Sequence, residues 1–171
     1  MKTGARLKDA AVACLLLAAA CGLAQEGRAQ SLVGKAAPVF TRRDLSGRLI
    51  HMRRLRGQVV LLNFWATWCA PCLNEMPAFD AWRRQFGAQG LAVIGISMDD
   101  DAAAARRMAE RLKIEYPVAM GDARLAESYG RVLGLPKTFL IGRDGKVLAE
   151  FEGETDLKAL EAAVKAALER R

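Results

Sequence analysis

The chain has 171 residues, 52% of them hydrophobic, 26% charged and 6% aromatic, with a formal net charge of +7. This balance excludes a disordered chain, and four cysteines are too few for a disulfide-dense mini-protein. Only one stretch is long, apolar and uncharged, which excludes a polytopic membrane protein. The basic residues fall in scattered pairs and triplets, not gathered with aromatic partners as nucleic-acid binding requires.

That apolar stretch lies at the N-terminus. Lys2, Arg6 and Lys8 precede an uncharged run from Ala10 to Ala24, short of the roughly 20 residues a spanning helix needs. A basic start, a short apolar middle and small residues near its end predict a secretory signal peptide over residues 1–24, with cleavage after Ala24 or Ala29. The alternative is lipidation of Cys21 within Leu17-Ala18-Ala19-Ala20-Cys21-Gly22, which would anchor the chain to a membrane. Residues 25–33 are polar and contain glycine, so they read as a tether. Residues 34–171 then form one domain, exported to the periplasm or cell envelope.

Within that domain Pro38–Thr41 and Leu49-Ile50 predict two short strands about a turn at Ser46-Gly47. Gln58–Ala66 (QVVLLNFWA) is a nearly continuous apolar run, the pattern of a strand buried on both faces. A helix is expected from Cys69–Pro71 to about Phe86, its apolar stripe formed by Leu73, Met76, Phe79, Trp82 and Phe86. Leu91–Met98 is a second buried strand, and Asp99, Asp100 and Asp101 offer a cap for a helix reaching about Lys113. A short strand at Tyr116–Met120, a short helix at Ala123–Tyr129 and a hairpin of Thr138–Gly142 with Val147–Phe151 follow. Thr155 is the expected cap of a last helix that turns Leu157, Leu160, Val164 and Leu168 inward. The alternation predicts an α/β sandwich: two parallel strands joined by right-handed crossovers, then antiparallel edges.

Without the leader, Cys69 and Cys72 are the only cysteines. Their loop is too short for a large staple effect. Two sulfurs cannot complete a four-ligand zinc site, and the sole histidine, His51, adds only a third ligand, so no metal is expected. Redox chemistry fits better than a pair of reduced core thiols. Trp68-Cys69-Ala70-Pro71-Cys72 sits where the buried strand ends and the helix begins. Free N–H groups and the positive end of the helix dipole favour a thiolate at Cys69. Cys72 lies one turn inward on the same face, placed to resolve a mixed disulfide. Pro71 suits the first turn, where its missing N–H has no helical partner. Trp65 reads as core and Trp68 as a rim residue that touches a partner. His51 reads as surface or packing, and Lys137 as a charge that biases the choice of partner.

The run from Val33 to Phe79 resembles the exported reductases of the TlpA/ResA type and the cytochrome c maturation proteins called CcmG or DsbE. The resemblance rests on Gly34 with Pro38-x-Phe40, on Asn63-Phe64-Trp65-Ala66-x-Trp68-Cys69-x-Pro71-Cys72, on Glu75-x-Pro77, and on Leu135-Pro136-x-Thr138-Phe139. It implies a thioredoxin-like three-layer sandwich, a mixed central sheet with helices on both faces, and no cofactor beyond the two sulfurs. It implies further that Pro136 is cis and faces the cysteines, turning the Leu135 backbone toward a substrate that pairs with it as a short extra strand. Glu75 matches the acid that ResA-like proteins place near their cysteines and is the expected proton acceptor for Cys72, its pKa raised by desolvation. Asn63 stands where cytoplasmic thioredoxins carry an aspartate; it can hydrogen-bond but cannot titrate.

The implied partners are disulfide-bearing exported proteins, cytochrome c apoproteins among them, and a thiol protein, in the membrane or outside it, that donates electrons. Two alternatives stand beside this reading. A peroxiredoxin would place Pro and Thr ahead of its cysteine; Thr67 is present, but Asn63 occupies the proline position. A copper metallochaperone of the same fold would need a distal histidine, and His51 precedes the pair.

Overall fold

A computed structural model of the chain describes residues 30–170. The predicted signal peptide, both cleavage points and Cys21 lie outside the described residues. A central sheet of five strands has the order β5-β4-β3-β6-β7, with β3 Val59–Trp65, β4 Leu91–Ser97, β5 Val118–Met120, β6 Lys137–Ile141 and β7 Val147–Glu152. A separate antiparallel pair, β1 Thr41–Arg43 and β2 Leu49–His51, precedes it. The helices are α1 Ala70–Phe86, α2 Ala102–Arg111, α3 Ala123–Ser128 and α4 Leu157–Glu169.

All seven residues of β3 are buried, as its unbroken apolar run predicts. Side chains alternate across a strand, so β3 feeds two cores. Val59, Leu61 and Trp65 pack with Cys72, Met76 and Phe79 of α1 and with Leu160 and Val164 of α4. Val60, Leu62 and Phe64 pack on the other face with Ile50, Leu125 and Tyr129. The mixed sheet therefore carries helices on both faces, as expected. The parallel set is larger than predicted: β3, β4 and β5 all run parallel, and only β6 and β7 are antiparallel to their neighbours.

Two local expectations are corrected and one is narrowed. The first strand lies at Thr41–Arg43, not Pro38–Thr41, because Asp44 builds the following turn. Its Oδ1 accepts from the N–H groups of Ser46 (2.9 Å) and Arg48 (2.8 Å), which draws the hairpin toward it. Of the three aspartates offered as a cap for α2, it is Asp101 that accepts from the Ala103 N–H. Asp156, and not Thr155, caps α4 by accepting from Lys158 and Ala159. At the start of the described chain, part of the predicted tether is docked: Leu32 is buried in the second core and Val33 bridges to Val147.

Candidate active site

Strand register sets the site. Phe64 of β3 lies opposite Lys137 of β6, so Pro136, one residue earlier, falls level with the end of β3. Cys69 follows that same end. The Leu135–Pro136 peptide is cis, as the resemblance implies, and Pro136 is buried, its carbonyl accepting from the Gly153 N–H at 2.9 Å.

The turn from β3 into α1 is fixed on both sides. Met98 N–H donates to the Trp65 carbonyl (2.8 Å) and Cys69 N–H to the Ala66 carbonyl (3.1 Å). Asp99 holds the turn itself, accepting from Thr67 N–H and, at 2.6 Å, from the Thr67 hydroxyl; the Ser97 hydroxyl donates to it at 2.8 Å. Of the three aspartates, Asp99 thus serves this turn while Asp101 caps α2. The tie follows from β3 and β4 ending side by side, a proximity the sequence signals only through the parallel pairing.

Cys69 is the N-cap residue of α1, with extended backbone, and its carbonyl accepts from the Leu73 N–H at 3.2 Å. Ala70 and Pro71 open the helix, and the Cys69 side chain, at the positive end of the helix dipole, makes no capping hydrogen bond in the disulfide form. Cys69 and Cys72 are joined as a disulfide with Cα atoms 5.3 Å apart. Cys69 retains 5% exposure and Cys72 none, the order expected for an attacking and a resolving sulfur. Trp68 beside them is 72% exposed, whereas Trp65 is fully buried. Leu133, in the loop leading to Pro136, is 69% exposed; the sequence reading misses it because nothing in its spacing separates it from a core leucine.

Glu75 lies one turn beyond Cys72 and is only 2% exposed. One carboxylate oxygen, Oε1, accepts from the Thr155 N–H at 2.8 Å, and Oε2 has no partner. Burial pushes its pKa up, opposed by the Thr155 hydrogen bonds and reinforced by the nearby Glu154. Asn63 is fully buried on the α1 side of the sheet, its amide donating to the Thr138 hydroxyl at 2.9 Å. Lys137 does not offer its charge to a partner: it is 9% exposed and its Nζ lies 3.2 Å from both Glu150 and Glu152.

His51 is elsewhere. It ends β2, lies 3.2 Å from the Thr41 hydroxyl through Nδ1, and shares a cleft with Leu91 and Ala92 at the start of β4. Cys69 stands past the opposite end of the sheet, so His51 cannot join the sulfurs around one ion. Among the described residues no group of three or more His, Cys, Asp and Glu is arranged to hold a metal.

A sequence-family profile described as the AhpC/TSA family matches residues 33–150. The chain is 36% identical over 134 residues to the thiol-disulfide oxidoreductase ResA of Bacillus thuringiensis subsp. konkukian, spanning 78% of this chain and 77% of that one. It is 33% identical over 121 residues to ResA of Bacillus subtilis strain 168, spanning 70% and 67%. Among solved structures, the thiol:disulfide interchange protein DsbE from Chlorobium tepidum matches with a TM-score of 0.73 at 33% identity, covering 78% of this chain and 95% of that one.

Proposed function

The chain belongs to the AhpC/TSA family and, within it, to the thioredoxin-fold thiol-disulfide oxidoreductases of the ResA type; from that membership we propose that it reduces disulfides in exported proteins. The observation that carries the reading is the disulfide at the mouth of α1, with the more exposed sulfur at the N-cap and its neighbour buried one turn inward.

The chemistry follows from that placement. In the reduced protein the Cys69 thiolate attacks one sulfur of a substrate disulfide, and the other substrate sulfur leaves as a thiolate. Glu75 takes the proton of Cys72, whose sulfur then attacks Cys69. This closes the Cys69–Cys72 disulfide and releases the second substrate thiol. Two electrons pass to the substrate, and a thiol protein returns them by the reverse exchange. Trp68 and the Leu135-Pro136 backbone receive the substrate chain, which pairs with Leu135 as a short strand. Asn63 and Pro71 are structural: one ties β3 to β6, and the other opens the helix.

The leader pattern of residues 1–24 supports export to the periplasm or cell envelope, with lipidation at Cys21 as the route to membrane anchoring. Apocytochrome c, whose haem-attachment cysteines must be reduced, is the narrowest substrate the resemblance supports. The test is direct. The reduced protein should precipitate insulin by cleaving its interchain disulfides, and Cys69→Ser should abolish this. Cys72→Ser should trap mixed disulfides in cells, and a catch without apocytochrome c would remove that substrate. Failure of the reduced parent to cleave insulin would remove the reductase reading.

The AhpC/TSA match favours a second reading as a peroxidase. The site argues against it, because the Thr67 hydroxyl is committed to Asp99 and Asn63 holds the proline position. Rapid consumption of hydrogen peroxide by the purified protein would reinstate it.

A further inference from the structure

Behind the disulfide, four buried polar atoms have no partner within the described protein: Asn63 Oδ1, Trp65 Nε1, Glu75 Oε2 and the Tyr116 hydroxyl. All belong to one layer. Asn63 and Trp65 stand at alternate positions of β3, on the side where α1 packs. Glu75 is on the buried face of α1, between Cys72 and Met76. Tyr116 joins the same core from the residue before Pro117 and β5.

Gly95 gathers them. It is the register partner of Asn63, and a Cβ at this position would lie 3.1 Å from Trp65 Nε1 and 3.1 Å from Tyr116 Cε2. The indole N–H and the tyrosine ring therefore meet over a residue with no side chain. Tyr116 also lies within the electrostatic reach of two carboxylates, Asp80 and Glu75; burial first, and then these charges, push its pKa far above the ordinary phenol range. Asp80 is already occupied: Arg83, Arg84 and the Glu115 N–H all donate to it.

Buried polar groups persist when they are hydrogen-bonded. This set contains its own balance: the Trp65 N–H and Tyr116 O–H are donors, and the Asn63 and Glu75 oxygens are acceptors. One internal water bonded to this set would have the two to four polar partners that such sites require. We infer that Tyr116, backed by Trp65, is a positioning residue for Glu75: its hydroxyl acts through one internal water on the carboxylate oxygen that has no protein partner and sets the pH at which Glu75 takes the proton of Cys72. The inference rests on the reading of Glu75 as that proton acceptor.

The groups that act on Glu75 are the Thr155 N–H and Glu154 from the segment before α4 and Tyr116 from the sheet side, with Cys72 one turn earlier on its own helix. A donor favours the ionised carboxylate. Removing the Tyr116 hydroxyl should therefore raise the pH at which Glu75 ionises and slow the resolving step at pH values below that midpoint.

The experiment follows the side-chain carboxyl carbon of Glu75 by NMR against pH in protein labelled with ¹³C-glutamate, the resonance being assigned by its loss in Glu75→Gln. Tyr116→Phe, which keeps the ring and its packing, should move the midpoint upward. The pH profile of disulfide reduction should move with it, but not in a Glu75→Gln background. A Glu75 midpoint unchanged by Tyr116→Phe overturns the inference. Should Glu75→Gln alone leave the reduction profile unchanged, the proton-acceptor reading fails instead, and the two failures are told apart by the resonance.

Discussion

Glu75 combines two properties that a proton acceptor for Cys72 needs: a buried carboxyl close along the helix, and one oxygen free of hydrogen bonds. Its raised pKa also bears on stability. A carboxyl whose pKa is higher folded than unfolded binds more protons in the native state across the window between the two values. The stabilisation is fully present below the unfolded value and lost as pH rises through the folded one. Glu75→Gln keeps an oxygen for the Thr155 N–H and removes the charge. The oxidised variant should therefore melt a few degrees above the parent at pH 8, given that ~1 kcal/mol moves a domain of this size by roughly 2–4 °C. The difference should close toward pH 4; a gap that is the same at both pH values would assign the effect to packing. At this scale the cysteines and Trp68 are legible in the sequence through their spacing around the helix start, and Glu75 through the resemblance to ResA-like proteins. The Asp99–Thr67 tie and the Lys137 pairing with Glu150 and Glu152 are not, because each depends on which strands are neighbours.

The elements follow their local chemistry where one pattern dominates. Val59–Trp65 and Leu91–Ser97 are strands on the strength of continuous apolar runs, and α1 keeps the predicted stripe of Met76, Phe79, Trp82 and Phe86 inside. The 3₁₀ turn at Met52–Leu55 leaves no pattern to read, because only Met52 of its four residues is buried. The start of α4 differs by one residue from the expectation for a physical reason. The Thr155 N–H is turned toward Glu75, while Asp156 meets the first helical N–H groups. Asp156→Ala should therefore destabilise the fold by about 1 kcal/mol, the usual worth of an N-cap. Thr155→Ala should cost less, since the bond to Glu75 uses its backbone. Urea unfolding of both variants decides the order, and a larger loss at Thr155 would return the cap to that residue.

Across the whole molecule, topology brings separate stretches of sequence to one end of the sheet. The parallel strands β3 and β4 end there, β6 begins there after the cis Pro136, and β7 ends there before Thr155. The first described residue is tied to the segment that leads to Leu133 and Pro136, the Gln30 N–H donating to the Gly130 carbonyl at 3.0 Å. Gly130 has a left-handed backbone with φ of 79°, and a Cβ there would strike the Gln30 carbonyl oxygen at 2.2 Å. The layers and the dithiol are readable from local patterns, whereas this convergence needs the strand order. Its consequence is that Cys69 meets solvent at a helix tip, between Trp68 and the Pro136 loop. The rate of alkylation of the reduced Cys72→Ser protein by iodoacetamide, followed against pH, reads the ionisation of that one sulfur. The thiolate mechanism predicts a midpoint clearly below the ordinary thiol value of about 8.5. A midpoint at that ordinary value would contradict it.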